Sequence, residues 1–128
     1  DEDALLPEAV KGMETFQQVG CVACHNGPVL SLGITIRFAH GTDPGRMAVT
    51  GNQADEKLFR ISTLRNIALT APYFHDGSAA TLEEAVSIMA KVQLGPELTE
   101  EQTAAILAFL ESLVGEIPQI VIPILPHR

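Results

Sequence analysis

The feature that most constrains this chain is the segment GCVACHNGP, residues 20–28, which holds its only two cysteines and a histidine directly after the second. Cys21, Cys24 and His25 form the pattern Cys-x-x-Cys-His, which is typical of covalent c-type haem attachment. Cysteines three positions apart lie on one side of a helical turn, so both thiols can reach the vinyl groups of a porphyrin. The next residue places its imidazole under the ring. We therefore expect one covalent haem c.

Three other uses of the two thiols fit the sequence less well. A structural zinc site needs two more ligands at finger-like spacing, but the histidines at positions 40, 75 and 127 are isolated from one another. A thioredoxin-like dithiol needs a βαβ pattern around the motif, and the sequence does not show one. A disulfide across two intervening residues is strained. The haem interpretation is therefore favoured.

Length and charge limit the class of protein. With 128 residues the chain has room for one hydrophobic core, and we predict a single cytochrome c domain over residues 1–128. The formal charge is −8 and the basic residues are scattered, so neither nucleic-acid binding nor docking on an anionic membrane is expected. The opening segment DEDALLPEAV has no basic or apolar leader region, and no run reaches the ~18–20 apolar residues of a spanning helix. We expect a soluble protein; if it is exported, its signal peptide lies outside this sequence.

Start and stop signals predict three helices. A capping box at Thr81 opens a helix that stops before the Gly95-Pro96 pair. A second box at Thr99 opens another helix, which Gly115 is predicted to cap. An earlier helix, residues 7–19, leads directly to the cysteine motif.

The rest of the chain lacks a sustained helical period. Residues 26–54 carry several glycines among short apolar pieces and are predicted to form one long loop. Loops longer than about 12–15 residues are uncommon in compact domains unless they are functional. Residues 1–6 are predicted to be an N-terminal extension, and the proline-rich residues 116–128 an extended C-terminal tail. We therefore predict an all-α, cytochrome c-like fold, with three to five helices and long loops wrapped around one haem.

The second axial position of the iron has several candidate ligands. They are Met13, Met47, Met89, His40 and His75. A methionine on an apolar helical stripe is usually a core residue, and a single histidine in a loop is usually a surface group. Enough chain separates His25 from Met89 for Met89 to reach the other face of the ring. Spacing therefore favours Met89, while the other candidates and an open sixth position remain alternatives.

Several longer segments resemble one known family. The likeness is carried by CVACHNGP, GRMAVT, LFRISTLRNIALTAPYFHDGSAATLEEAVSIMAKVQLG and ILAFLESLVGEIP. Over about residues 13–126 the sequence is similar to the C-terminal, electron-transferring haem domain of the bacterial dihaem cytochrome c peroxidases and their MauG-like relatives. The resemblance implies that His25 and the methionine of the AVxIMxxxQLG helix, Met89, hold the haem iron. It also implies a calcium site, at a seam between two domains, built from main-chain oxygens near Thr70 and Pro72.

The sequence departs from that family in one respect. The peroxidases need a second, N-terminal haem domain that reacts with peroxide, whereas this sequence has one haem motif. Without that domain the calcium seam loses ligands, so we do not expect a bound calcium ion. We expect a monohaem cytochrome that carries single electrons between periplasmic redox partners. The alternative is the electron-input domain or a fragment of a dihaem peroxidase that reduces hydrogen peroxide.

Further residues are expected to support the haem. Two arginines flank the segment ISTL and can pair with propionates, because guanidinium binds carboxylates bidentately; the alternative is a pair of solvated cations. These are Arg60 and Arg65. Tyr73 and Phe74 are expected to line the pocket, Pro28 is expected to contact the haem, and His75 is expected to pair with Asp76.

A docking edge for redox partners is expected beside the cysteine motif. Val22, Ala23 and Pro28 are the residues predicted to form an exposed, mostly apolar haem edge. Contacts of this kind are small and short-lived, which suits electron transfer.

Overall fold

The computed structural model describes residues 5–116 and 119–120 of the chain. Within these residues the α-helices are α1 (Pro7–Gln18), α2 (Met47–Thr50), α3 (Leu82–Gln93) and α4 (Glu100–Glu111). Two strands, β1 (Thr35–Arg37) and β2 (Leu58–Arg60), pair antiparallel. Single 3₁₀ turns occur at Cys21–Ala23, Gln53–Asp55 and Ile67–Leu69. None of the described helices is long and apolar enough to cross a membrane.

Helices α1 and α4 make the closest helix–helix contact. A Cβ atom at Gly12 of α1 would lie 2.0 Å from the backbone oxygen of Ala105 in α4, so the crossing requires a residue without a side chain. Phe16 and Phe109 pack beside it with ring centroids 5.4 Å apart. The other buried members of this core are Ile106, Leu110 and Leu113. Residues from the later loops and from α3 pack against this helix pair.

The predicted helix starts are confirmed. The Thr81 hydroxyl accepts a hydrogen bond from the Glu84 amide at 3.1 Å. The Glu84 carboxylate accepts from the Ala80 amide, so the reciprocal half of that capping box is displaced by one residue. The box at Thr99 is complete, since the Thr99 hydroxyl and the Gln102 side chain each accept from the other residue's amide. Local sequence therefore sets where α3 and α4 begin.

The predicted end of α4 is wrong. The helix ends at Glu111 and Ser112 caps it, so Gly115 lies beyond the cap. The Gly115 amide instead donates to the side-chain oxygen of Asn66 at 2.8 Å. The Asn66 amide donates in turn to the carbonyl of Leu113 at 3.1 Å. A tertiary contact with a distant turn therefore takes over where the helix could have continued.

The all-α prediction is wrong, because β1 and β2 form a two-stranded sheet. Their register pairs Ile36 with Phe59, and both of these side chains line the central cavity. Strands of three residues are too short to show a period-two pattern, and their partners are distant in sequence, so the pattern predicted only a loop. The predicted single loop over residues 26–54 also contains β1, α2 and a 3₁₀ turn. The remaining arrangement of helices and long connections is compatible with a cytochrome c-like fold.

The predictions for the two ends of the chain lie mostly outside the described residues. Of the extension predicted for residues 1–6, only Leu5 and Leu6 are described, and they precede α1. Of the tail predicted for residues 116–128, Glu116, Gln119 and Ile120 are described, and they are exposed. The single-domain organisation stays a prediction.

Candidate functional site

A cavity of about 730 Å³ lies between the cysteine motif, the two strands, residues 61–76, α3 and α4. Small-molecule and cofactor sites generally measure about 300–1,000 Å³ and are mostly apolar. The lining here is also mostly apolar. Aliphatic members of the lining include Leu64, Ile67, Leu82, Val86, Ile106 and Leu110.

The cysteine motif sits at one edge of this cavity. α1 ends at Gln18, and Gly20, with a φ of 99°, turns the chain into the 3₁₀ turn that begins at Cys21. The amides of Cys24 and His25 both donate to the Cys21 carbonyl, at 3.2 and 3.0 Å. The two thiols are free, half-buried and part of the cavity lining. Burial raises the pKa of the Cys21 thiol above its ordinary value.

The imidazole of His25 is held by its own loop. Its Nδ1 lies 3.1 Å from the carbonyl oxygen of Leu30, so the N–H is assigned to Nδ1, and Nε2 is the unprotonated nitrogen that can bind a metal. Leu30 has a φ of 51°, an uncommon left-handed conformation for a branched residue. Burial lowers the pKa of His25, while hydrogen bonds to the backbone of Leu30 and Ser62 oppose that shift. The environment therefore favours the neutral, metal-binding form.

Of the five candidates for the sixth iron ligand, three line the cavity. Met89 on α3 and His40 are half-buried in the lining, and His75 is an exposed residue of it. Met13 instead packs against the α1–α4 core, and Met47 lies on α2 away from the cavity lining. The structure therefore leaves Met89 as the methionine that faces the same space as His25.

Aromatic side chains form another part of the lining. The ring of Phe74 lies 5.0 Å from that of Phe38 and 5.6 Å from that of His40. Phe59 packs against His75 at 5.7 Å. Spacings of 4.5–7 Å are typical of favourable aromatic pairs. Tyr73 is buried beside this group, and its hydroxyl donates to the carbonyl of Ile67 at 3.1 Å; both Tyr73 and Phe74 line the cavity as expected.

The predicted partner of His75 is wrong. Its Nδ1 lies 2.6 Å from Oδ2 of Asp43, whereas Asp76 instead caps the amide of Ser78. The Gly45 amide and the His75 side chain together hold the pKa of Asp43 below its ordinary value. Sequence reasoning missed Asp43, although the Asp-Pro-Gly triplet is a turn signal that could have singled it out. His75 is far more exposed than Asp43, which fits a residue at the rim of the cavity.

The two arginines lie at the cavity, and Pro28 lies beside it. Arg60 and Arg65 are exposed residues of the cavity lining. The Arg65 Nε donates to the carbonyl of Pro28 at 3.1 Å, which fixes the chain that follows the cysteine motif. Pro28 itself is exposed and does not line the cavity. The Arg65 side chain therefore already has a hydrogen-bond partner, whereas the Arg60 side chain has none in the part of the chain that the structure describes.

The residues present fit a covalent haem. A mostly apolar cavity carries two free thiols and an imidazole at one edge, and the imidazole already has its orienting hydrogen bond. Thr70 and Pro72, near which the resemblance implies a calcium site, are exposed and also border the cavity. Within residues 5–116 and 119–120 no cluster of three or more histidine, cysteine or carboxylate side chains could hold a metal ion by itself.

Comparisons with known proteins show which proteins this chain is similar to. No family model matches the chain. The sequence is 44% identical to cytochrome c551 peroxidase of Nitrosomonas europaea, over 98% of this chain and 40% of that protein. It is also 44% identical to cytochrome c551 peroxidase of Pseudomonas aeruginosa, over 98% of this chain and 39% of that protein. The chain thus spans about two fifths of the length of these relatives.

A solved structure shows the same likeness in three dimensions. It is that of a MauG-like protein associated with microbial copper homeostasis, with a TM-score of 0.69 and 28% sequence identity. The match covers 88% of this chain and 45% of that protein. The sequence and the fold lead to the same conclusion: the chain belongs to the bacterial dihaem cytochrome c peroxidase and MauG-like family.

Proposed function

We propose that this chain is a c-type cytochrome unit that carries single electrons through one covalently bound haem. The observation that supports this most directly is the arrangement at the cavity edge, where both thiols of Cys-x-x-Cys-His meet an apolar space. When bound, the haem supplies a one-electron couple whose potential depends on its axial ligands over a span of about 0.8 V. Cys21 and Cys24, both free thiols, would hold it covalently through thioether bonds.

On the proximal side, His25 is the proposed iron ligand. The Leu30 carbonyl accepts the hydrogen bond from Nδ1, which keeps Nε2 unprotonated and the ring oriented. The loop that supplies this carbonyl is itself fixed by side chains. The Thr63 hydroxyl donates to the Val29 carbonyl at 2.6 Å, and Arg65 binds the carbonyl of Pro28. These bonds give His25 one preferred orientation before any haem is bound.

On the other side, Met89 is the proposed second ligand. It is the one methionine of the three that lines the cavity, and α3 holds it between the buried residues Ala85 and Ala90. A thioether in this position favours a high potential and keeps peroxide and oxygen away from the iron. This supports electron transfer rather than peroxide chemistry at this haem.

Other residues are proposed to complete the haem environment. Arg60 and Arg65 are proposed to neutralise the propionates, because both border the cavity as exposed cations. Tyr73 and Phe74 line the cavity and would cover apolar surface of the bound ring and exclude water. Arg60 is the stronger candidate for a propionate partner, since the Arg65 Nε already binds the carbonyl of Pro28.

The partners are proposed to be other redox proteins of the bacterial periplasm. From Thr15 to Ile36 the chain has no aspartate, glutamate, lysine or arginine, although its formal charge is −8. This uncharged stretch includes Val22, Ala23 and Pro28, all exposed, and it also presents Leu32 with 42% of its surface accessible. An uncharged apolar face beside the cysteines suits brief docking of an electron donor or acceptor.

A second proposal is that the chain works as the electron-input part of a larger cytochrome c peroxidase. It is favoured by the two relatives named as cytochrome c551 peroxidases, of which this chain spans 40% and 39%. In that case another haem domain would reduce hydrogen peroxide with the electrons that this unit delivers. Adding peroxide to the isolated ferric protein distinguishes both electron-transfer proposals from a third possibility, in which this haem itself reduces peroxide. An unchanged spectrum fits either electron-transfer role, and rapid turnover would mean that this haem itself is peroxidatic.

The cofactor is tested by covalent haem retention. The purified protein should keep one haem per chain after extraction with acidified acetone, because thioether bonds survive acid and loss of iron coordination does not release the porphyrin. The Cys21→Ala, Cys24→Ala double variant should lose its haem in the same extraction, while Met47→Leu keeps it. A colourless, folded wild-type protein that binds zinc would contradict the proposal.

A further inference from the structure

Lys57, one residue before β2, places its ammonium group on main-chain oxygens rather than on a carboxylate. Its Nζ donates to the carbonyls of Gly41 and Asp43, at 2.8 Å each, and lies 3.4 Å from the carbonyl of His40. The side chain is half-buried by these contacts. A single ammonium group thus contacts three carbonyl oxygens of one short turn.

The backbone of Lys57 binds the two ends of the same turn. Its amide donates to the carbonyl of Pro44, and its carbonyl accepts from the amide of Phe38, both at 2.8 Å. Its φ of 58° is uncommon for a residue with a side chain and is maintained only where the surroundings demand it. Main chain and side chain of Lys57 therefore hold the 38–44 segment at both ends and in the middle.

The 38–44 segment forms one wall of the cavity. Phe38 and His40 line it, and their rings pack against that of Phe74 in tilted arrangements. Asp43 lines it as well, and its carboxylate joins the segment to His75 at 2.6 Å. Without the ammonium, three carbonyls of this turn lose their hydrogen-bond donor. The observed conformation of the wall then loses the charge-assisted hydrogen bonds that stabilise it. The turn contains no regular element of its own that could replace them.

We propose that Lys57 is a positioning residue that keeps the 38–44 segment closed as a wall of the cavity and so restricts the size of ligand that reaches the haem iron. The inference rests on the proposed function, because it requires haem in this cavity. Lys57 acts through the turn that it binds and is not itself part of the cavity lining. Its loss opens the wall without altering the iron ligands.

The test compares two ligands of different size on the ferric holoprotein. Cyanide and imidazole both bind at a free sixth position of the iron, so both depend equally on the step that frees it. The ratio of their binding rates therefore depends on how easily the larger ligand reaches the iron. In Lys57→Met the imidazole-to-cyanide rate ratio should rise about tenfold or more, the change expected when a charge-assisted hydrogen bond is lost from a closed local state. Lys57→Arg, which keeps a cation, should recover most of the wild-type ratio.

Three further variants separate the wall from simpler effects. Lys11→Met removes an exposed lysine that pairs with Glu101 and should keep the wild-type ratio. Leu113→Ala weakens the α1–α4 core away from the cavity and should also keep the ratio, even though it lowers the free energy of unfolding. Lys57→Gly relieves the left-handed backbone but removes the ammonium, so it should behave like Lys57→Met.

Different results would contradict the role of Lys57 and the proposed function. If cyanide and imidazole accelerate equally in Lys57→Met, the iron–ligand bond has weakened and the wall role is wrong. A wild-type ratio in Lys57→Gly would show that the backbone, and not the ammonium, matters, which also overturns it. If the wild-type protein carries no covalent haem, the proposed function fails, and the inference fails with it.

Discussion

The α1–α4 pair and the chain between residues 26 and 80 are stabilised by different kinds of contact. The helix pair is held by apolar packing around Phe16 and Phe109 and by the close approach at Gly12. The 26–80 region has little regular structure, and side chains bind its main chain across long sequence distances. Examples are the Ser31 hydroxyl on the Ile61 carbonyl at 2.7 Å and the ammonium of Lys57 on the 38–44 segment.

Backbone strain is distributed unequally in the same way. Four residues other than glycine have a positive φ in the described chain, and all four lie in the 26–80 region. They are Leu30, Lys57, Asn66 and Phe74. Each such residue costs about 1–3 kcal/mol, and they cluster where a structure clamps a ligand. The helix pair is therefore stabilised by its own apolar packing, whereas the 26–80 region depends on hydrogen bonds between residues distant in sequence.

The largest effect is expected at Met89 on α3, which lines the cavity together with residues of both regions. Met89→Ala should remove the far-red thioether-to-iron charge-transfer band, lower the reduction potential and open a site that takes up cyanide. The cavity left by the side chain should also cost about 2–5 kcal/mol of unfolding free energy. Absorption spectra and urea denaturation measure both. Met47→Leu is the control, since Met47 does not line the cavity. Loss of the band in Met47→Leu with an intact spectrum in Met89→Ala would reverse the ligand assignment.

A smaller effect, confined to the helix pair, is expected at Gly12. Gly12→Ala places a methyl group against the backbone of Ala105 and should lower the unfolding free energy by about 1–3 kcal/mol or more, because overpacked helices must move apart. The haem spectrum should stay unchanged. Ser87→Ala, on the exposed side of α3, should change stability by less than about 0.5 kcal/mol in the same urea titration. A stable Gly12→Ala protein with an altered haem spectrum would show that the two regions are not separable.

The smallest effect concerns the wall of the 26–80 region and depends on pH. The pKa of Asp43 is lowered below its ordinary value of 3.8, chiefly by the Gly45 amide and then by His75. A carboxyl with a lowered folded pKa stabilises the fold at pH above its unfolded value and loses that contribution as pH falls through the folded pKa. Below about pH 4 the Gly45 amide should therefore lose protection from hydrogen exchange, after correction for the intrinsic rate. Asp43→Asn should abolish this pH dependence, and an identical profile in that variant would exclude Asp43 as its cause.

The sequence alone determined the parts of this protein that depend on neighbours along the chain. The hydroxyls of Thr81 and Thr99 cap their own helices, and the Cys-x-x-Cys-His spacing puts two thiols and an imidazole on one turn. Each of these features needs only a few consecutive residues, so a pattern can reveal it. The family likeness rests on similar local segments, including the most specific one, LRNIALTAPYFHDG.

Only the tertiary structure decided the contacts that join distant residues. β1 and β2 are three residues long and pair across more than twenty positions, so no local period reveals them. The end of α4 depends on Asn66, and the partner of His75 is Asp43 rather than its neighbour Asp76. Packing likewise decides that Met89 lines the cavity and that Met13 and Met47 do not, since all three are methionines on helices. Loop closure and burial, not local propensity, set these contacts.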